Sequence, residues 1–267
     1  MLKDITLGQY FPGDSVVHKL DPRTKLLMVV MYIIALFTAT GFVGYGVMIA
    51  VTAGFIALSK VPPKSMFRGL KSVILIIALT AVLNIFYTEG TVLVQVWKLK
   101  ITYEGIIRAV FMVLRIVMLI CGTFLLTYTT APVALTDGME MLLNPLKKLK
   151  VPVHEMSMMM SMALRFIPTL IEETDKIMSA QKARGADFET GSLIDRAKAL
   201  LPILVPLFVS AFRRADELAV AMESRCYNGG AGRTRMKQLR FKGGDYVALS
   251  FGVLLNGLMI GLQVIGL

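Results

Sequence analysis

The sequence predicts an all-α integral membrane protein. About five transmembrane helices are expected, with a charged domain of two long amphipathic helices and a short one between the fourth and the fifth. Three observations predict it. Apolar side chains make up 55% of the 267 residues, and the mean hydropathy of +0.67 places the chain among integral membrane proteins. The apolar residues are gathered into runs long enough to cross about 30 Å of hydrocarbon. The exception is residues 152–227, where stripes of helical period replace continuous runs.

The formal net charge is +11. A soluble chain so basic would suggest a nucleic-acid partner. Here no basic patch is interleaved with aromatics, and basic loops that hold the spans in one orientation explain the charge without nucleic acid. Cys121 and Cys226 are the only cysteines, and their separate settings argue against a structural disulfide. The first two dozen residues are polar and mixed, so no cleavable signal peptide is expected before the first span.

Taken in order, residues 1–25 form a cytoplasmic N-terminal segment, with Asp21-Pro22 marking a turn at the membrane. Residues 26–59 contain no charge. As one helix those 34 residues would measure about 51 Å, so a hairpin of two short spans turning near residues 40–46 is predicted. That arrangement also puts Lys25 and Lys60 on the same side. Residues 60–71, with Lys60, Lys64, Arg68, Lys71 and Pro62-Pro63, read as a cytoplasmic loop. Residues 72–88 are the third span. Residues 89–103, with the single tryptophan Trp97, read as a poorly periodic outer connection. Residues 106–130 return as the fourth span. Within 131–150, a short amphipathic helix over 139–149 is interrupted at Pro145. A basic glycine-rich linker fills 228–244, and a last span begins near Tyr246. The expected domains are 1–130, 131–244 and 245–267.

The two long helices carry the informative residues. The first runs from about Val153 to Arg184, with Met156, Met159, Ala163, Phe166, Leu170 and Ile177 at helical spacing and Glu172–Lys176 as a favourable i,i+4 pair. Pro168 should kink it, and Gly185 suits a left-handed cap. The second runs from about Ser192, opening on a Ser192/Asp195 capping box. Its apolar middle, 199–212, is too short to span and reads as interfacial or protein-buried. The first ends in Ala183-Arg184-Gly185, the second in Ser224-Arg225-Cys226. Cations at helix ends are favoured by the macrodipole at about 0.3–1 kcal/mol. An arginine also offers a planar fork that stays charged and meets a carboxylate bidentately.

Other candidates are weaker. Met156, Met158, Met159, Met160 and Met162 form either core or an adaptable apolar surface. Arg108 reads as snorkelling to the outer surface and Arg115 as facing protein, with Asn84 and Asn256 as unassigned hydrogen-bonding groups. Gly257 and Gly261 allow a close helix contact. No phosphate-binding Gly-x-x-x-x-Gly-Lys-Ser/Thr occurs, and His154-Glu155 lacks the second histidine of a zinc protease. With His18 and His154 alone, a histidine-built metal centre is not expected.

Two helices that each close on a small–Arg–small tripeptide resemble the transmembrane T component of energy-coupling factor (ECF) transporters, a family that includes cobalt and biotin uptake relatives. The run His18-Lys19-Leu20-Asp21-Pro22-Arg23-Thr24-Lys25-Leu26 is similar to that family's N-terminal signature, and the resemblance covers essentially the whole chain. Ala183-Arg184-Gly185 matches the family motif in full; Ser224-Arg225-Cys226 keeps the arginine and small neighbours without the glycine. The resemblance implies that the two helices cross in a cytoplasmic coupling domain and that both tripeptides dock ABC-type ATPase subunits. It also implies a small substrate-binding membrane subunit (S component) as partner, met here by the methionine cluster, and uptake of a vitamin or metal ion across a prokaryotic plasma membrane. No catalytic residue, cofactor or metal is implied. The alternative is a self-contained secondary transporter or channel. Against it, the spans hold almost no carboxylates and show no repeat. A membrane enzyme would need a catalytic constellation, and none stands out.

Overall fold

A computed structural model of the chain describes residues 10–96, 99–186, 188, 192–229 and 238–266. The elements are α1 (Pro22–Thr38), α2 (Gly41–Ser59), α3 (Pro63–Lys71), α4 (Ile74–Tyr87), β1 (Val92–Val96), β2 (Leu99–Thr102), α5 (Tyr103–Thr129), α6 (Pro132–Leu143), a 3-10 segment (Asn144–Leu149), α7 (Val153–Ala183), α8 (Leu193–Glu223) and α9 (Gly243–Ile265). The expected all-α membrane architecture is present, with one two-stranded antiparallel hairpin as its exception among the described residues. The chain divides into two compact units, Gly8–Leu142 with Gln238–Leu267, and Leu143–Lys237.

In the first unit, α1, α2, α5 and α9 share a core of Tyr32, Leu36, Met48, Met118, Leu255 and Met259. Tyr32 needs polar company to be buried there. Its hydroxyl shares a 2.7 Å hydrogen bond with Thr52 Oγ1 and donates to the Met118 carbonyl at 3.1 Å. Gly122 makes room for the ring: a Cβ there would lie 2.4 Å from Tyr32 Cε1. Asn256 joins α9 to α1 by donating to the Met31 carbonyl at 3.0 Å. Gly257 and Gly261 have open space where a Cβ would be, and the close approach of α9 is at Gly252, against Met28 and Met31.

The predicted break in residues 26–59 is real: α1 ends at Thr38 and α2 opens at Gly41, whose φ of +63° suits glycine. Among the described residues, α2, α5 and α9 are each long and apolar enough to cross a membrane, while α3 and α4 qualify only as a pair bent by 64°. At 17 residues α1 measures about 25 Å, a little short of the hydrocarbon.

Four expectations are corrected. Residues 60–71 are not a loop: Pro63 opens α3, whose Met66 is buried beside Val61, Leu125 and Tyr128. The third span is shorter than 72–88, because α4 holds only 14 residues. The outer connection 89–103 is largely the β1–β2 hairpin, with Val92 opposite Thr102 and Val96 opposite Leu99; Trp97 lies outside the described residues. The short helix starts at Pro132 instead of 139 and passes into a 3-10 turn at Asn144. Pro63 and Pro132 each stand at the first helical position, where a missing N–H costs nothing, and Pro145, read as an interruption, is the second residue of the 3-10 segment.

Candidate functional site

The run from His18 to Leu26 forms a polar clamp. Asp21 caps α1, accepting from the Arg23 N–H at 2.9 Å, and also takes a forked pair from the Arg23 guanidinium at 3.1 and 3.0 Å. Its own N–H donates to Asp245 Oδ1 at 2.8 Å, and Asp245 Oδ2 accepts from the Lys242 N–H at 2.7 Å. Lys25 donates to the carbonyls of Thr129 at 2.8 Å and His18 at 3.2 Å. Arg23 also lies 4.0 Å over the Phe241 ring. One short stretch thus binds the ends of α5 and α9. Burial alone would raise the Asp21 carboxyl; hydrogen bonds and charge from Arg23 outweigh it and hold the group below its ordinary value.

The second unit holds the paired arginines. The capping box that opens α8 is formed, with the Ser192 hydroxyl accepting from the Asp195 N–H and Asp195 accepting from the Ser192 N–H, each at 3.3 Å. Helix α7 runs unbroken past Pro168 and α8 past Pro202 and Pro206. The two helices are antiparallel. Glu173 on α7 accepts from Ser210 and Arg214 on α8, and eight residues further along α7, Gln181 donates back to the Pro202 carbonyl at 3.4 Å. The carboxylate that joins the helices is therefore Glu173; Glu172, expected to pair with Lys176, faces solvent. The Ser210 hydrogen bond, followed by the charge of Arg214, holds the Glu173 carboxyl below its ordinary value.

Antiparallel pairing puts Arg184 and Arg225 at opposite ends. Both helices nevertheless close in the same way. In the first, the Gly185 N–H donates to Lys182 O and the Ala186 N–H to Gln181 O, each at 3.0 Å. In the second, the Cys226 N–H donates to Glu223 O at 2.8 Å and the Tyr227 N–H to Met222 O at 3.0 Å. Both are the two-bond termination that requires a left-handed residue after the helix. That residue is Gly185, φ +86°, in one case and Cys226, φ +52°, in the other. Each arginine stands immediately before it and is solvent-exposed. Lys182 precedes Arg184 by two positions, where Glu223 precedes Arg225, so the first tip is the more basic.

The methionine cluster is split. Met156, Met159 and Met160 are exposed, while Met158 and Met162 are half-buried. The latter two line a cavity of about 380 Å³ with Leu218, Met222, Arg225 and Cys226. Two candidates read separately from the sequence thus adjoin. Within the apolar stretch 199–212, expected to be interfacial or protein-buried, sequence reasoning did not name the outer stripe: Leu201, Val205, Phe208 and Phe212 are 56%, 60%, 61% and 69% exposed. Their i, i+4, i+7, i+11 spacing was the available signal. Cys121 and Cys226 are free thiols, and among the described residues no three metal-ligating side chains converge.

Residues 13–237 match the family described as CbiQ, cobalt transport protein. Proteins named energy-coupling factor transporter transmembrane protein EcfT are similar along nearly their whole length. That of Thermosediminibacter oceani is 54% identical over 257 residues, 96% of this chain and 97% of its own. That of Clostridium kluyveri is 57% identical over 250 residues, 93% of each. That of Bacillus subtilis is 48% identical over 264 residues, 98% of this chain and 100% of its own. With near-full-length likeness added to twin arginine-bearing helix ends, the chain belongs to the CbiQ family, among the EcfT transmembrane proteins of energy-coupling factor transporters.

Proposed function

We propose that this protein is the non-catalytic energy-coupling scaffold of an ATP-driven importer in a prokaryotic plasma membrane. The observation that carries the reading is the pair of identical helix terminations, each presenting an exposed arginine, at opposite ends of an antiparallel helix pair. Ala183-Arg184-Gly185 and Ser224-Arg225-Cys226 each enter a groove on one of two ABC-type ATPase subunits, where a carboxylate meets the guanidinium. ATP-driven closure of the ATPases moves α7 and α8. The methionines at 156, 158, 159, 160 and 162, with the exposed stripe of α8, carry that motion to a small membrane subunit that binds a vitamin or metal ion. An apolar stripe of this kind is out of place on a surface that meets only water. Five spans, with the N-terminus and the basic loops in the cytoplasm, complete the arrangement.

The test is co-purification in mild detergent from native membranes, with mass spectrometry and an ATPase assay, of wild type beside an Arg184→Glu, Arg225→Glu double variant. Wild type is expected to bring down two ABC-type ATPases and a small membrane protein, and the variant to lose the ATPases. Retention of both ATPases by a folded double variant rejects the docking role. Replacing the five methionines by alanine is expected to weaken capture of the small membrane subunit while the ATPases stay.

A further inference from the structure

A second cationic cavity lies in the first unit, far from α7 and α8 in sequence. Helix α5 has 27 residues, and the α1–α2 hairpin turns beside Arg115, twelve residues into it. The rings of Phe42 and Tyr45 also pack on Phe111, eight residues into α5, so the hairpin ends about 12 Å short of the start of α5 along the axis. The space left is a cavity of about 400 Å³ lined by Thr40, Gly41, Asn84, Arg108, Phe111 and Arg115 among others, with no acidic residue in its wall.

Arg108, Phe111 and Arg115 stand at i, i+3 and i+7, so one face of α5 carries two guanidiniums two turns apart. Arg115 is fixed in place. Its Nη2 donates to the Ala39 carbonyl at 3.3 Å, and Phe37 and Tyr45 each lie 5.6 Å from its Cζ. Its Nε is buried with no partner. None of these neighbours carries negative charge. Arg108 feels the charge of Glu104 one turn away, but no ion pair joins them, and both Glu104 oxygens accept from Thr91. Opposite them, no side-chain hydrogen bond caps α2 at Thr40, which leaves the N–H groups of its first turn without side-chain acceptors. Two arginines, a hydroxyl and a helix start without a side-chain cap face a cavity with no anionic side chain in its lining.

We propose that this cavity binds the phosphate group of a phospholipid in the leaflet away from the basic loops. The lipid source follows from the neighbours of the lining: Phe37 beside Arg115 and Phe42 beside Phe111 are 58% and 71% exposed, which suits contact with acyl chains and not with water. The leaflet follows from the fold, since α1 begins at the clamp, where Lys25 meets the Thr129 end of α5, and ends at this cavity. A bound phosphate neutralises Arg115, a charge that is otherwise costly at this depth. It also links the start of α2 to α5.

The experiment reconstitutes the full chain in phosphatidylglycerol vesicles containing a small fraction of phosphatidylglycerol with a photoreactive headgroup, followed by irradiation and peptide mapping. Adducts are expected on the peptides around Thr40 and Phe111. Arg108→Gln, at an exposed position with no hydrogen bond to lose, is expected to lower those adducts about tenfold while leaving those on residues 60–71 unchanged. Equal labelling of the variant overturns the site. If inorganic phosphate displaces the lipid from detergent-solubilised wild type, the ligand is free phosphate and the lipid assignment falls.

Discussion

At the scale of single residues, the two arginine-bearing ends differ in one respect that matters energetically. Gly185 takes its left-handed conformation without cost, whereas Cys226 does so with a Cβ present. Cys226→Gly is expected to raise stability by up to about 1 kcal/mol, with the added backbone freedom of glycine setting that ceiling. Thermal unfolding in detergent would register it, and a fall in midpoint would refute the strain. The glycine of the first end was legible in the sequence; the second end was not, because nothing in Ser-Arg-Cys announces a positive φ. Asp21 supports a prediction of the opposite sign. Its carboxyl sits below the ordinary 3.8 because Arg23 holds the charged form against burial. A depressed folded value means the stabilisation is complete above 3.8 and is lost as pH falls through the folded value. Asp21→Asn should therefore cost about 1–3 kcal/mol at neutral pH, and its difference from wild type should shrink in acid denaturation below pH 3.8.

At the scale of elements, the contact between α7 and α8 rests on Glu173 with Ser210 and Arg214. Glu173→Gln keeps the shape and removes the charge. Spin labels on the two helices should then report a broader distance distribution, while the content of helix stays the same. An unchanged distribution would mean that apolar packing alone fixes the crossing. In the first unit, Gly122→Ala is expected to cost about 1–3 kcal/mol, because the Tyr32 ring has no room to retreat from a new methyl while its hydroxyl stays bonded. The elements most legible in advance were those with long periodic or uncharged runs: α5, α7, α8 and α9. Prolines were the main source of error. Pro63 starts a helix, yet beside Pro62 and the basic residues Lys60, Lys64, Arg68 and Lys71 it read as part of a loop. The strands were missed because Val92–Val96 and Leu99–Thr102 are too short to stand out from apolar surroundings.

At the scale of the whole molecule, composition and the placement of basic residues pointed to a membrane protein, and the paired tripeptides pointed to its family. Neither signal could show that the final helix returns to the N-terminal clamp. That link depends on Asp245, a lone acid at the start of an apolar helix, whose partner Asp21 is 224 residues away. The proposed sidedness has its own test. In a background with Cys121 and Cys226 replaced, a cysteine at Thr91 should react with an impermeant maleimide added outside intact cells, and one at Lys64 only after permeabilisation. The reverse pattern would invert the topology.

Glu173 lies eleven residues before Arg184, and Arg214 eleven before Arg225. Each arginine therefore sits at the tip of an arm about 16 Å long, measured from the same ion pair. Arms of equal length about a common fulcrum convert equal and opposite pushes at the two tips into rotation, with little sideways drift of the fulcrum itself. A push on one tip alone would shift the fulcrum as well as turn it. The spacing thus makes the pair sensitive to whether its two ends are loaded together.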